Sequence, residues 1–256
     1  MKDKIVFITG ASSGIGEACA RKFASQGSKL ILNARNITKL DELKSELETK
    51  YGVHIYTLPF DVRDKNVVIS MLNNLPDEWK NIDVLINNAG LVIGIDKEFE
   101  GELNEWDIVI DTNIKGLLTM TRQIVPGMLE RGAGHVINIG SIAGEAAYPG
   151  GSVYCATKAA VKILTDGLRI DLVDTPLKVT NIKPGMVETN FSVIRYRGNK
   201  QVADDFYKGI QPLTGDDVAE SVYFAASTPP HVQIAEILVM PTNQATGTIS
   251  YKKSLE

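Results

Sequence analysis

Thr9 to Gly16 reads "TGASSGIG" and joins an apolar run, "KIVFITG" from Lys4, to a helical pattern, "GIGEACARKFASQG", that closes at Gly27. Glycines at 10, 14 and 16 let the backbone turn sharply and come close to a ligand. The helix start presents free N–H groups and the positive end of the helix dipole, which suit a phosphate. The spacing G-x-x-x-G-x-G departs from the G-x-G-x-x-G dinucleotide fingerprint, and a glycine-rich turn can also exist without a ligand. Its position after the first strand of an alternating pattern favours a ligand.

Moving outward, apolar runs of strand length alternate with longer helical patterns. "KLILNAR", "HIYTLPFD", "IDVLINNAG", "GHVINIGS", "LKVTNIKPG" and "AEILVMP" follow as strands two to seven. Asn36 is a natural N-cap for a helix with Leu40, Leu43 and Leu47 on one face, and Gly52 ends it. Further helices are expected at about 64–75, 104–131, 152–173 and 215–227. Continuously apolar strands imply a sheet covered on both faces, and the alternation implies parallel strands with right-handed crossovers. The expectation is an α/β, Rossmann-like, doubly wound fold with a seven-stranded parallel sheet, forming one domain over 1–256. The one long irregular stretch, about 186–212, is expected to be a substrate-binding loop or lid.

The second strand ends "LNARN", with Arg35 and no acidic residue. In such sheets a carboxylate at this point holds the ribose hydroxyls of NAD, whereas an arginine suits the 2′-phosphate of NADP. Arg35 could also be a solvated surface arginine, but the reading it favours is NADP(H) as cofactor.

Composition narrows the function. The 256 residues carry a net charge of −4, which argues against nucleic acid as a partner. No apolar run reaches membrane-spanning length. The N-terminus lacks the pattern of a secretory signal, and the two cysteines, Cys19 and Cys155, imply no disulfide framework, so a cytoplasmic setting is expected. His54, His135 and His231 stand far apart, so no metal is expected.

"TGASSGIG", "NNAG" (Asn87 to Gly90), Asn113, Ser141, Tyr154-x-x-x-Lys158 and "PGMVET" (Pro184 to Thr189) occur in the order and spacing of the short-chain dehydrogenases/reductases, which this chain resembles over nearly its whole length. Within that family, "SIAGEAAYPGGSVYCATKAAV", "FSVIRYRGN", "PLTGDDVAE" and "MPTNQA" look like the NADP-dependent 3-hydroxy acid (serine or L-allo-threonine) dehydrogenases. The resemblance implies an enzyme that oxidises the C3 hydroxyl of small 3-hydroxy acids and runs in reverse on semialdehydes and ketones. It implies Tyr154 as acid/base, Lys158 as holder of the nicotinamide ribose and depressor of the tyrosine pKa, Ser141 on the substrate oxygen, and Asn113 in a proton relay. It also implies cofactor contacts from Gly10, Ser12, Ser13, Gly14, Ile15 and Gly16, from Asp61 and Val62 at the adenine, from Asn87, Ala89 and Gly90, and from Pro184, Gly185, Val187 and Thr189. Members of the family commonly form homotetramers, here through the helices around 104–131 and 152–173.

The chemistry needs residues of these types. A free tyrosine has a pKa of about 10, and lowering it to about 7 takes roughly 4 kcal/mol of preferential phenolate stabilisation. A lysine one helical turn away lies on the same helix face and can contribute. Ser141 ends a strand and can donate to a developing alkoxide or carbonyl oxygen. Cys155 faces elsewhere and reads as a small core residue. A hydroxy acid also carries a carboxylate, for which "VIRYRGN" supplies Arg195 and Arg197; Arg195 is the first choice, although either could be solvated. The main alternatives are a 3-oxoacyl thioester reductase or a broad carbonyl reductase of the same fold. A serine hydrolase is disfavoured because Ile139 replaces the first glycine of G-x-S-x-G. A non-catalytic NADP(H) sensor would not need the tyrosine, serine and lysine together.

Overall fold

The computed structural model describes residues 1–252; the last four residues of the expected 1–256 domain lie outside the described residues. Seven parallel strands form one sheet in the order β3-β2-β1-β4-β5-β6-β7. They are β1 (Ile5–Thr9), β2 (Lys29–Ala34), β3 (Ile55–Pro59), β4 (Val84–Asn87), β5 (His135–Ile139), β6 (Lys178–Pro184) and β7 (Glu236–Val239). The helices are α1 (Gly14–Ser25), α2 (Ile37–Tyr51), α3 (Lys65–Asn73), α4 (Leu103–Ile110), α5 (Leu117–Arg131), α6 (Ser152–Asp171), α7 (Phe191–Arg195), α8 (Lys200–Phe206) and α9 (Gly215–Ala226).

Alternate residues of each strand face opposite layers, so one sheet makes two cores. Val6, Ile8, Leu30, Leu32 and Ile86 pack with α1, α2 and α9. Ile5, Phe7, Ile31, Leu85 and Val179 pack with α3, α5 and the end of α6. Burial on both sides explains the unbroken apolar strands. The helix ends follow the local chemistry. Asn36 accepts from the Lys39 N–H, and Gly52 closes α2 in the left-handed region at φ 65°. The Thr214 hydroxyl accepts from the Asp217 N–H, while the Asp217 carboxylate takes the Thr214 N–H.

Two expectations need correction. The helix expected over 104–131 is interrupted at Asp111–Gly116 by a π-helical turn. There the Asn113 amide donates to the Leu91 carbonyl at 2.9 Å and to Thr157 Oγ1 at 3.0 Å, and its oxygen accepts from the Leu91 N–H at 2.9 Å. One wide turn turns a helix side chain towards the β4 loop and α6, which a regular 3.6-residue pattern does not show. The stretch 186–212 is not irregular: it contains α7 and α8. Both are too short to give a clear helical period.

The sheet order reverses between β1 and β4, and α/β sheets open a cleft beyond the carboxyl ends of the strands at such a point. The loops after β1, β4, β5 and β6 converge there.

Candidate active site

A cleft of about 680 Å³ runs across these loops, from Arg35 and Asp61 at one end to Arg195 and Tyr207 at the other. Its floor at the first end is the glycine turn. Gly10 and Gly14 have φ of 65° and 58°, the left-handed region that favours glycine. A Cβ on Gly16 would lie 2.3 Å from the Gly10 carbonyl oxygen and 2.5 Å from Asn88 Nδ2, so the turn closes only over glycine. Ser13, the N-cap of α1, makes no side-chain cap bond. The first N–H groups of α1 therefore point towards the cleft without a capping oxygen, which fits a phosphate-bearing cofactor. Thr9 Oγ1 accepts from the Asn88 and Ala89 N–H groups at 3.0 and 2.9 Å, and Asn88 Nδ2 donates to the Thr9 carbonyl at 2.9 Å, stitching the β1 and β4 loops together.

At the adenosine end Arg35 is largely exposed, with Nη1 3.9 Å from Asp61 Oδ2. Arg63 grips the same carboxylate at 2.6 Å and helps hold it below the usual carboxylate range, against the opposing effect of burial. Arg35 is thus oriented over the cleft by a carboxylate that is already shared.

In the middle of the cleft stand Ser141, Tyr154 and Lys158. Ser141 follows β5, and its Oγ accepts from the Ala143 N–H at 3.0 Å. The turn Ile142–Gly144 lies flush on α6, since a Cβ on Gly144 would sit 2.7 Å from the Lys158 carbonyl oxygen. Glu145 then takes Lys183 at 2.8 Å and Lys162 at 3.3 Å, fixing the serine turn to β6 and α6. Tyr154 is 8% exposed and packs edge-on against Phe191 with ring centroids 5.6 Å apart. Lys158 Nζ is 5.9 Å from the Tyr154 ring centroid and donates to the Ile139 carbonyl at 2.8 Å.

Burial dominates the electrostatics of the Tyr154–Lys158 pair. Burial pushes the Tyr154 phenol above its ordinary value, and the neighbouring Ser141 hydroxyl and Arg195 only partly oppose this. Burial also brings the Lys158 ammonium down to about 8. Both charged forms are disfavoured because both groups sit in low dielectric, and the lysine spends a donor on a backbone carbonyl. Sequence spacing reports who is adjacent but not how much water is lost.

The end of the cleft opposite Arg35 is aromatic. The Arg195 guanidinium lies 5.2 Å from the Tyr148 ring, 5.9 Å from Phe206 and 6.0 Å from Tyr196. Its Nε is buried with no hydrogen-bond partner among the described residues. Arg197 points the other way and is held by Asp96 and Glu105. Of the two arginines, only Arg195 lines the cleft.

The cleft wall also includes Ser12, Ile15, Val62, Gly90, Gly185, Val187 and Thr189. Asn87 does not stand on the wall: its amide donates to Asn138 and Thr121 behind it, and its neighbour Asn88 lines the cleft instead. Pro184 ends β6 at the wall. Asn113 lies beneath the Gly90 backbone, where a Cβ on Gly90 would be 3.3 Å from its Oδ1 and 3.5 Å from Lys158 Nζ. Sequence reasoning missed Tyr148, Phe206, Tyr207, Gln244 and Thr248. They come from the turn before α6, the end of α8 and the C-terminal turn, and the available signal was slight: aromatics beside glycines in "AYPGG" and within the long stretch before 212. Gln244 is buried and accepts from the Met186 N–H at 2.8 Å, so the C-terminal turn is anchored to the β6 loop.

A parallel seven-stranded sheet with a glycine turn after β1 and a serine, tyrosine and lysine beyond β5 defines a class of dinucleotide-dependent oxidoreductase. Residues 4–198 match the short chain dehydrogenase family, and the chain belongs to that family. It is 43% identical to the NADP-dependent 3-hydroxy acid dehydrogenase of Schizosaccharomyces pombe, over 98% of this chain and 97% of the relative. It is 45% identical to the NADP-dependent 3-hydroxy acid dehydrogenase YdfG of Escherichia coli K12, over 94% of this chain and 96% of the relative. It also superimposes on the closed form of serine dehydrogenase complexed with NADP+ with a TM-score of 0.92, at 43% identity, covering 98% of this chain and all of that one (100%).

Proposed function

We propose that the protein is an NADP(H)-dependent dehydrogenase of small 3-hydroxy acids, of the serine, allo-threonine or 3-hydroxypropionate type, reversible towards semialdehydes. The observation that carries this reading is one cleft with a phosphate-suited glycine turn and Arg35 at one end, the Ser141–Tyr154–Lys158 group in the middle and, at the other, an arginine with no carboxylate partner among the described residues. The relatives named for NADP and 3-hydroxy acids support it.

Residues of the glycine turn would hold the coenzyme, with Arg35 taking its 2′-phosphate and Lys158 its nicotinamide ribose, and the bound coenzyme would supply hydride exchange at the substrate carbon. The chain's residues manage the oxygen and the carboxylate. Ser141 donates a hydrogen bond to the substrate oxygen, and Tyr154 takes or returns its proton. Asn113, beneath Gly90 and Lys158, stands where a water can pass protons to the lysine. Arg195 receives the carboxylate, and the rings around it keep the guanidinium desolvated without neutralising it. The aromatic wall limits substrate size. We also read the chain as a cytoplasmic homotetramer; Leu118 and Leu129 on α5 and Ile163 and Ile170 on α6 leave apolar surface on the helices expected to meet.

The test is an NADP-coupled panel of L-serine, D-threonine, L-allo-threonine, 3-hydroxypropionate, 3-hydroxyisobutyrate and acetoacetyl thioesters, repeated with Arg195→Gln. Turnover of the hydroxy acids, with a KM at least tenfold higher in the variant, supports the reading. Turnover of the thioesters alone, or a KM for serine and 3-hydroxypropionate unchanged in Arg195→Gln, overturns it.

A further inference from the structure

Arg197 follows α7 with φ of 49°, and Gly198 follows with φ of 87°. Few side-chain-bearing residues adopt that conformation. The turn sends the Arg197 side chain away from the cleft. Its Nε donates to Glu105 Oε1 at 2.9 Å, and its Nη2 donates to Glu105 Oε2 at 2.7 Å and also to Asp96. Glu105 belongs to the first turn of α4, whereas Asp96 lies in the loop after β4. One guanidinium fork therefore ties the end of α7 to two separate parts of the body.

The backbone makes the same connection beside it. The Gly94 N–H donates to the carbonyl of Arg195 at 2.9 Å. Gly94 has φ of 78°, and a Cβ there would lie 2.6 Å from Asp96 Oδ2 and 2.8 Å from Arg197 Nη2. A side chain at 94 would break both contacts. On its other side the same loop is pressed against the turn entering α6: a Cβ on Gly150 would lie 2.2 Å from the Ile95 carbonyl oxygen. Residues 94–96 are thus wedged between the entry to the helix of Tyr154 and Lys158 and the end of the helix carrying Arg195.

We propose that Arg197 is a positioning residue for substrate charge selection: its fork on Glu105 and Asp96 holds Arg195 at the cleft, so that a substrate anion meets a cation already in place. The proposal rests on the reading of Arg195 as the carboxylate partner. A single exposed ion pair would contribute little, but a bidentate contact shared with a second carboxylate and reinforced by a backbone hydrogen bond gives a fixed geometry. Placing a charge in advance lowers the ordering cost of binding and acts on acidic substrates alone.

The experiment compares wild type, Arg197→Gln, Glu105→Gln and Arg195→Gln on 3-hydroxypropionate and on its neutral amide, 3-hydroxypropionamide. Circular dichroism reports folding, and the Kd for NADPH comes from fluorescence. Arg197→Gln and Glu105→Gln are expected to raise KM for the acid about tenfold, to leave kcat/KM for the amide and the NADPH Kd within about twofold, and to keep kcat for the acid within about threefold. Should Arg197→Gln misfold, Glu105→Gln, which retains the Asp96 contact, carries the same prediction. An Arg195→Gln protein with unchanged acid KM removes the underlying reading and the proposal together. A raised acid KM in Arg195→Gln with none in Arg197→Gln or Glu105→Gln overturns the positioning role alone. Equal losses on acid and amide also overturn it, by showing a general structural effect.

Discussion

Lys158 Nζ donates to the carbonyl of Ile139 at 2.8 Å, tying the middle of α6 to the last residue of β5. Ser141 stands two residues beyond that carbonyl and Tyr154 one helical turn before that lysine, so this hydrogen bond helps fix the spacing between the serine turn and the tyrosine. The lysine is buried to make it, and burial brings its pKa down to about 8.

On the proposed mechanism the reaction depends most directly on Tyr154. Tyr154→Phe keeps the ring that packs on Phe191 and removes only the hydroxyl. We expect a loss of kcat of about a thousandfold or more, within the range for removing a proton-transfer group together with its hydrogen bond. NADPH affinity by fluorescence should be unchanged within about threefold. Near-normal kcat would exclude the tyrosine as acid/base.

Lys158 carries a stability penalty. Its folded pKa of about 8 lies below its ordinary 10.5, so between these values the unfolded chain binds more protons. The penalty is in full force below pH 8 and is relieved as pH rises to 10.5, with a ceiling of roughly 3 kcal/mol. Lys158→Met removes it but leaves the Ile139 carbonyl without its donor, which costs about 1 kcal/mol. Thermal melts without coenzyme at pH 7 should show the inactive variant more stable than wild type by about 1–2 kcal/mol, with a flatter dependence between pH 8 and 10.5. A lower Tm for the variant would contradict this.

On the proposed reading Arg35 selects the coenzyme, and it lies 3.9 Å from an Asp61 carboxylate already held by Arg63. Arg35→Ala should raise the NADPH Kd by about ten- to a hundredfold, equivalent to about 1.4–2.7 kcal/mol for a charge-assisted phosphate contact. The NADH Kd should change little. Titration calorimetry with both coenzymes decides it; equal losses for the two would remove the 2′-phosphate role.

His135 contributes to the acid limb of stability. It is buried in β5 and shares 2.8 Å between Nε2 and Thr180 Oγ1. Thr180 spends its own hydrogen on the Ile234 carbonyl at 2.6 Å, so Nε2 is the donor and Nδ1 keeps a lone pair with no partner. Burial, with some help from Lys178, brings the pKa down to about 3. Below pH 6.5 the unfolded chain binds the extra proton and the folded chain does not, so stability falls by about 1.4 kcal/mol per pH unit until about pH 3. In urea melts from pH 7 to 4, His135→Leu should lose that slope. An unchanged slope would place the acid sensitivity elsewhere.

The sheet was legible because the physics that makes it is local. Both faces of the central strands are covered, so these are runs such as "VFIT" or "VLIN", and α2 carries its own caps in Asn36 and Gly52. The glycine turn was legible for the same reason: positive φ at Gly10 and Gly14 and the crowding at Gly16 restrict the residue type at each position. Ser141, Tyr154 and Lys158 could be named from order and spacing, since two ride one helix and the third ends the adjacent strand.

What the sequence left open were matters of direction and environment. It offered Arg195 and Arg197 two residues apart as equals in chemistry, and a left-handed turn at Arg197 turned one to the cleft and the other to Glu105 and Asp96. It placed Asn113 in a helix without showing the π turn that aims it at Leu91, and it missed the aromatic wall because Tyr148, Phe206 and Tyr207 meet only across loops. It put an ammonium beside a phenol but not the loss of water around both, which pushes the phenol up and the ammonium down. Residue type and local spacing fix strands, caps and turns, whereas dielectric, side-chain direction and long-range contact exist only once the chain has closed on itself.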